Sequence, residues 1–426
     1  MRSVVNPKVH SSCGKCRILF RYFYVHGGGL IFLADLILSF YLSKLLDKYK
    51  NKFFLALSIL PSLSLFILAK YINFFPASLF NPSALKLILP IGISFFTLKI
   101  ISCHVEIYRG NIQAPSLCDY VLYVSLFTQI LSGPIMRVND FLPQLSNPKF
   151  NPEQARAGAF MIIMGLFKKL LIANMAMPFV DKVHENISGV PALALWMAAF
   201  LYAMELYADF SGYSDISNGI MKIMGIDVPA NFNAPYFSSG FRDFWGRWHI
   251  SLSSWLRDYV YIPLGGSRCS ELRRFVNVMI TFIVSGLWHG TGLNFLLWGI
   301  SHGLLVYLST KIKLLRSQLI TFLLVMFLWI PFRAENISSF ANYLVRMFRD
   351  FNISFGAINS SLRLFVLNST SINYALSLFT GIFVLILHDF FAKREKDYGA
   401  VFTFLFVSLT ILFGRLGASA FIYAGF

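Results

Sequence analysis

Two apolar runs flank a glycine-rich break in FVNVMITFIVSGLWHGTGLNFLLWGISHGLLVYL, residues Phe275–Leu308. The runs, Phe275–Trp288 and Leu293–Leu308, approach the roughly 20 apolar residues that a helix needs to cross a bilayer. Gly290–Gly292 predicts that the helix ends between them. Broken backbone at membrane depth is tolerated only where it is buried in protein or lines a cavity. This stretch therefore predicts a helical hairpin beside a cavity in a membrane protein.

The whole chain has the composition of an integral membrane protein. Of its 426 residues, 56% are hydrophobic and only 13% are charged, whereas soluble domains carry about 25% charged residues. We expect an all-α polytopic fold with roughly eleven transmembrane or re-entrant helices around a central cavity. The predicted helices cover Leu30–Leu46, Phe53–Ala69, Leu87–Val105, Tyr120–Ile135, Ala157–Val180, Ala192–Ala208, Phe275–Trp288, Leu293–Leu308, Leu319–Phe332, Tyr374–Phe391 and Val401–Phe413.

The distribution of charged residues predicts how the protein is oriented in the membrane. Lys and Arg number 37 against 20 Asp and Glu, and in membrane proteins basic residues collect in short cytoplasmic loops. The clusters are Lys44–Lys52, Arg242–Arg274, Lys311–Arg316 and Lys393–Lys396, and we predict that all four are cytoplasmic. Nucleic acid is not an expected partner, because no basic run interleaved with aromatic residues lies outside the apolar segments.

The N-terminus differs from the rest of the chain. Residues 1–29 are basic and lack the continuous apolar core of a signal peptide. We expect this segment to be disordered or an altered first helix, followed by one membrane domain over residues 30–426. The five cysteines form no disulfide framework. Cys13 and Cys16 leave a zinc site as a minor alternative, and we predict no metal site.

A polar stretch interrupts the apolar pattern at Phe210–Arg274, and such loops between membrane helices often carry function. Within it, Trp248–Tyr259 sorts into faces at helical spacing. Trp248, Leu252, Trp255 and Tyr259 share one face, which predicts a helix that lies at the membrane interface and does not span the bilayer. An amphipathic helix without a chemical role explains the same pattern.

His289 is an ionisable residue predicted to lie deep in the membrane. It comes fifteen residues after Arg274, about 22 Å along a helix at 1.5 Å per residue, in a core about 30 Å thick. Ionisable groups at such depth are functional by default, and a neutral imidazole can take a proton near pH 7. The alternative is a histidine hydrogen-bonded to a neighbouring helix.

Two further polar groups lie close to apolar runs. Asp209, Ser211 and Asp215 must be solvated or paired there, and we favour capping of a helix break over catalysis. Gly299–Gly303 matches the G-x-S-x-G pattern of hydrolases. Because that motif requires a strand-to-helix turn and this match lies in an apolar helix, we regard it as a chance match.

Five ordered blocks between Leu89 and Gly303 resemble the membrane-bound O-acyltransferase (MBOAT) family. They are LPIGISFFTLKIISCHVEIYRG, LFTQILSGPIMR, YADFSGYSDISNGIMKIMGIDVPANFNAPY, FRDFWGRWHISLSSWLRDYVYIPLGG and TFIVSGLWHGTGLNFLLWGISHG. The ending RLGASAFIYAGF is also similar to the family's C-terminus. YIPLGG followed by SGLWHG resembles the alginate O-acetyltransferase branch. The teichoic-acid D-alanylation branch, which shares RWH and LWHG, remains an alternative.

The resemblance implies specific residues. The family's membrane histidine matches His289, which implies that His289 is the base. The family's second recurrent histidine matches His249, which implies a group that positions the acyl donor or polarises its carbonyl. The predicted residues of the cavity wall are Trp288, Asn294, Arg257, Asp209 and Ser211. Glu106 stands where the family usually has aspartate.

The resemblance also implies the reaction. We expect acetylation of an exported envelope polysaccharide, alginate-like or peptidoglycan, at the bacterial inner membrane. The expected donor is acetyl-CoA or another acyl thioester, with no bound cofactor. A periplasmic or surface acetyltransferase is an expected partner. A transporter or flippase is the alternative from another class, but such folds often repeat their broken helices and this sequence offers one obvious break.

Overall fold

The computed structural model describes residues 28–71, 90, 92–145, 151–364, 371–392 and 399–416. Within these ranges the regular secondary structure is entirely helical, which confirms the all-α prediction. The basic segment at residues 1–27, the Cys13 and Cys16 pair and the Lys393–Lys396 loop lie outside the described residues.

Packing divides the chain into two units, Met1–Lys149 and Phe150–Phe426. The first contains α1 (Gly29–Tyr49), α2 (Lys52–Tyr71), α3 (Ile93–Tyr108), α4 (Leu117–Val124) and α5 (Val138–Leu145). The second contains α6 (Pro152–Phe167), α7 (Asn174–Glu185), α8 (Ala192–Ile223), α9 (Phe241–Trp245), α10 (Ile250–Leu256), α11 (Glu271–His289), α12 (Leu293–Leu308), α13 (Gln318–Arg333), α14 (Ile337–Arg349), α15 (Phe355–Arg363), α16 (Ser371–Ala392) and α17 (Gly399–Phe413).

Several helices have the length and apolarity to cross a membrane. Among the described residues these are Gly29–Tyr49, Lys52–Tyr71, Pro152–Glu185, Ala192–Ile223 and Asn373–Ala392. Shorter apolar helices cover Leu293–Leu308, Gln318–Arg333 and Ala400–Phe413. The predicted total of roughly eleven stays a prediction.

One predicted helix of the first unit is wrong. The run Tyr120–Ile135 was expected to be helical, but α4 ends at Val124 and turns follow. Gly133 lies so close to the carbonyl oxygen of Thr128 that a Cβ there would be 2.5 Å away, and Pro134 has no N–H to donate. The compact turn and the proline explain why an apolar composition did not produce a helix.

Helix α8 runs without a break through the polar YADFSGYSD sequence. The predicted helix break at Asp209 is wrong, because both nearby carboxylates have cationic partners in the π-helical segment between α6 and α7. Lys169 Nζ donates to Asp209 at 2.6 Å, and Lys168 Nζ donates to Asp215 at 2.7 Å. Paired in this way, the carboxylates stay inside a buried helix.

Helices α11 and α12 form the predicted hairpin. Helix α11 ends at His289 and α12 begins at Leu293, so the glycine break is confirmed. The helices approach closely at Gly286, where a Cβ would lie 2.5 Å from the carbonyl oxygen of Phe295. At the opposite end, Glu271 forms an ion pair with Lys311, and the hydrogen bond from Lys311 lowers the pKa of Glu271. This end of the hairpin carries the basic residues.

Candidate active site in the second unit

The segment containing His249 forms a short helix, as its spacing predicts. Helix α10 continues into a π-helical turn at Arg257–Tyr261, and its seven residues are far too few to cross a bilayer. The predicted interfacial position of its aromatic face is wrong. Trp248, Leu252 and Trp255 are at most 5% exposed, because that face packs inside the protein, where Trp248 contacts the rings of Phe244 and Trp329.

Asn231 holds the turn that carries His249. Its side-chain oxygen accepts hydrogen bonds from both the backbone N–H and the hydroxyl of Ser251, at 3.2 and 2.9 Å. Its amide donates to the hydroxyl of Ser214 on α8 at 3.2 Å. His249 itself has φ +43°, a left-handed conformation that costs a non-glycine residue about 1–3 kcal/mol. The surrounding hydrogen bonds stabilise that conformation.

Burial sets the charge of His249. Its side chain is 1% exposed and lies outside the membrane-spanning helices. Burial lowers the pKa of His249 to about 3, because the charged form loses its hydration. The imidazole is therefore neutral at pH 7. A neutral ring carries one N–H donor and one nitrogen acceptor.

His289, the last residue of α11, lies in an aromatic environment. Its ring centroid is 4.8 Å from that of Trp288, 5.1 Å from that of Trp298 and 5.3 Å from that of Phe332. Its side chain is 2% exposed. Asn294 fixes the nearby helix break by donating to the carbonyl oxygens of Pro331 and Ala334 at 3.0 and 2.8 Å.

The structure brings the two predicted histidines together. The ring of Trp288 contacts His249 at 6.3 Å as well as His289 at 4.8 Å, measured between centroids. The two imidazoles are therefore no farther apart than the sum of these distances, about 11 Å. Trp288, a predicted wall residue, contacts both rings.

A cavity of about 550 Å³ extends along α11 toward His289. One stripe of α11 lines it, formed by Arg274, Val278, Thr281 and Ser285, which recur at helical spacing. The next position of that stripe is His289, one turn beyond Ser285. The deep end of this stripe thus points to the predicted catalytic histidine.

Cationic side chains surround the other end of the same cavity. Arg242 and Arg257 join Arg274 in its wall. Arg257 Nε donates to Asp258 at 2.7 Å, and 62% of its side chain is exposed. The cavity therefore has a basic, accessible end and an apolar interior.

The other predicted wall residues lie elsewhere. Asp209 is paired with Lys169, and Ser211 is buried within α8. Neither lines the cavity beside α11. Asn294 is engaged at the helix break. The cavity-lining role of these three residues stays a prediction.

Sequence reasoning missed His302. It lies within Gly299–Gly303, which is helical, as expected for a chance match to the hydrolase motif. Yet His302 is fully buried, and its Nδ1 accepts a hydrogen bond from Trp245 at 3.2 Å. The ring of Trp298 contacts both His302 and His289, at 4.7 and 5.1 Å. His302 follows Trp298 by four residues, so the two side chains share one face of the helix. This spacing was the sequence signal that could have identified His302.

The described residues contain no group of three or more His, Cys, Asp or Glu side chains that could hold a metal ion.

Comparison with known proteins identifies the family. The model of the membrane-bound O-acyltransferase (MBOAT) family matches residues 35–348. This chain belongs to the MBOAT family. Its apolar helices are accordingly those of a multi-pass membrane protein.

Curated relatives of this MBOAT protein have named activities. A probable alginate O-acetylase, AlgI, of Pseudomonas syringae pv. tomato is 36% identical over 323 residues, 73% of this chain and 61% of that protein. A peptidoglycan O-acetyltransferase of Helicobacter pylori is 35% identical over 339 residues, 69% of this chain and 64% of that protein. A teichoic acid D-alanyltransferase of Bacillus subtilis is 30% identical over 227 residues, 51% of this chain and 58% of that protein. The chain thus spans less than two thirds of the length of these relatives.

Proposed function

We propose that this MBOAT protein is an O-acetyltransferase that acetylates an exported envelope polysaccharide from the bacterial inner membrane. The observation that carries the proposal is the cavity beside α11, whose lining stripe ends one turn before His289. A bound acetyl thioester would lie along this stripe with its carbonyl near the imidazole. The names of the O-acetylating relatives support the same reaction class.

The reaction requires a base and a leaving group that accepts a proton. His289 takes the proton from an acceptor hydroxyl as its oxygen attacks the thioester carbonyl carbon. The new C–O bond forms, the C–S bond breaks, and the imidazolium returns the proton to the departing thiolate. Such general-base catalysis contributes about 10²–10⁴ in rate.

His249 and Trp288 orient the reacting groups. A neutral His249 can donate its ring N–H toward the oxygen that becomes negative in the transition state, which is where a positioned donor is most effective. The Trp288 ring, which contacts both histidines, limits the space available to the acyl group. Water is excluded by the aromatic side chains around this site, which favours transfer over hydrolysis.

The basic end of the cavity suits an acyl thioester that carries phosphate. Guanidinium groups bind phosphate through paired hydrogen bonds, and Arg242, Arg257 and Arg274 line this end. Acetyl-CoA is therefore the donor that we propose, entering from the cytoplasmic side where basic loops are expected. A separate periplasmic acetyltransferase is a proposed partner for later delivery to polymer.

The experiment is thiol release by the purified full-length protein in lipid nanodiscs. Acetyl-CoA and unacetylated oligomannuronate are supplied, and free CoA thiol and acetylated sugar are measured together. We expect equal amounts of both, dependent on acceptor. No thiol release and no acetylated product would contradict the acetyltransferase proposal. Transfer of D-alanine from a D-alanyl thioester, with none from acetyl-CoA, would favour the teichoic-acid branch instead.

A further inference from the structure

Helix α14 begins where the apolar helix α13 ends. Helix α13 follows the basic Lys313–Arg316 segment and ends at Arg333. Its 16 residues are about 24 Å long at 1.5 Å per residue, which covers most of a hydrocarbon core about 30 Å thick. Only residues 334–336 separate it from α14. Helix α14 therefore begins at the edge of the apolar layer, on the side opposite the basic segment.

The first turns of α8 hold α14 at the same level. The Tyr343 hydroxyl donates to the carbonyl oxygen of Leu195 at 2.6 Å, and the Trp196 indole donates to the carbonyl oxygen of Met347 at 3.0 Å. Helix α8 is long and apolar enough to cross a membrane, so its first turns also mark an edge of the bilayer. Two neighbouring helices thus place α14 at one membrane surface.

Helix α14 has three distinct faces, since successive side chains turn by about 100°. One face packs on α8 through the buried Tyr343 and Met347. A polar face is formed by the exposed side chains of Ser338, Asn342 and Arg349. The remaining face is apolar and exposed, and it consists of Ile337, Ala341, Val345 and Phe348. These four residues recur every three or four positions, so they form one continuous stripe.

The exposed apolar surface continues beyond α14. Ile353 and Phe355, in the turn and at the start of α15, are 66% and 83% exposed. Ile358 and Leu362 follow Phe355 at helical spacing and are exposed as well. We call the whole surface the apolar platform, and its residues are Ile337, Ala341, Val345, Phe348, Phe351, Ile353, Phe355, Ile358 and Leu362. Contiguous apolar surfaces of this kind mark sites that bind protein or membrane.

Lipid fits the platform better than a protein partner does. A polar face beside an exposed apolar face is typical of helices that lie in the plane of a membrane interface, and α14 lies at the level where that interface is expected. The ring of Trp196, a residue type enriched at membrane interfaces, contacts those of Phe348 and Phe351 at 5.3 and 6.1 Å. Arg349 and Arg363 are exposed beside the apolar stripes, and guanidinium groups bind phosphate.

We propose that α14 and α15 lie in the plane of the membrane and bind the lipid headgroup region of the leaflet opposite the Lys313–Arg316 segment. The platform residues point toward the acyl chains, and the face of Asn342 points toward water. This surface goes beyond the acyl transfer proposed above, because its ligand is the bilayer itself. Through the bonds of Tyr343 and Trp196 it fixes the start of α8 relative to the membrane surface.

The test measures the depth of single nitroxide labels on the full-length protein in lipid nanodiscs. In a background without native cysteines, Val345→Cys and Phe355→Cys place the label on the platform. Asn342→Cys places it on the polar face of the same helix and is the matched control. All three side chains are exposed, so none of the labels is expected to disturb folding, which thermal unfolding checks.

Collisions of each label with oxygen, which concentrates in hydrocarbon, and with a water-soluble nickel chelate report its depth. The labels at Val345 and Phe355 should lie about 5–10 Å below the lipid phosphates, the depth that interfacial helices reach. The label at Asn342 should collide mainly with the nickel chelate.

Nickel accessibility at Val345 and Phe355 equal to that at Asn342 would overturn the proposal, because the platform would then face water. Shielding of both platform labels from oxygen and from nickel would overturn it as well, since a protein surface and not lipid would cover them. Neither result depends on acetyl transfer, so failure of the proposed function leaves this test unaffected.

Discussion

The indole of Trp288 lies against the imidazole of His249, with ring centroids 6.3 Å apart. Since Trp288 directly precedes His289 in α11, this contact joins the polar segment before α11 to the tip of the helical hairpin. Two histidines 40 positions apart in sequence thereby contact the same indole ring. The position of each histidine depends on the contacts that fix the backbone around it.

Asn231 is expected to position His249. Asn231→Ala removes the oxygen that holds Ser251 and should lower kcat about 10²-fold, because small misplacements near reacting groups have effects of that size. The KM for the acyl donor should change little. Steady-state kinetics with varied donor concentration measures both parameters.

Asn233→Ala is the matched control, since Asn233 is exposed in the same loop. Equal loss of kcat in the two variants, or unchanged kcat in Asn231→Ala, would show that Asn231 does not act through His249.

The buried pair of Lys169 and Asp209 is expected to control stability. Asp209→Ala leaves Lys169 without its counter-charge at 2.6 Å and should destabilise the protein by about 3–5 kcal/mol. Replacing both residues by apolar ones of similar volume should recover most of that loss. Thermal unfolding in detergent measures the difference.

Asp227→Ala provides the comparison, because Asp227 pairs with Lys222 at the surface and 62% of its side chain is exposed. It should change stability by at most about 1 kcal/mol. A smaller effect from Asp209→Ala than from Asp227→Ala would contradict the role of the buried pair.

The α11–α12 hairpin requires glycine at Gly286. A Cβ there would lie 2.5 Å from the carbonyl oxygen of Phe295, so Gly286→Ala must separate the two helices and should cost about 1–3 kcal/mol through overpacking. Gly356→Ala, where the nearest atom is 3.9 Å away, should be neutral or slightly stabilising. Equal melting temperatures of the two variants would argue against close packing at Gly286.

The sequence was informative where local chemistry determines the structure. The glycines at 290 and 292 predicted the end of α11, and the spacing after Gly246 predicted a short helix. Contacts between residues far apart in the sequence could not be predicted. The continuity of α8 depends on Lys169 from another helix, and the conformation of His249 depends on Asn231.

Packing also determines the environment of the aromatic stripe, which sequence periodicity could not predict. An aromatic stripe at helical spacing fits a membrane interface and a protein core equally well, and Trp248 is buried in the core. The match of Gly299–Gly303 to the hydrolase pattern concerns Ser301 and carries no information about His302. The rings that contact His302 come from four helices, α9, α11, α12 and α13.

The proposed direction of transfer requires a specific topology. In a background without native cysteines, a cysteine replacing Lys313 should react only with a thiol reagent that reaches the cytoplasmic side, because basic loops are retained there. A cysteine replacing Asn342, which is exposed on α14, should react only from outside. Labelling of both positions from the same side would contradict this orientation.

The most direct test of the account is the transfer rate of His289→Ala. Its kcat should fall about 10²–10⁴-fold with acetyl-CoA binding retained, whereas His388→Gln, on the separate helix α16, should keep the wild-type rate. Folding of both variants is checked by thermal unfolding in detergent, so that loss of activity refers to folded protein. A wild-type rate of acetyl transfer by folded His289→Ala would contradict the assignment of His289 as the base.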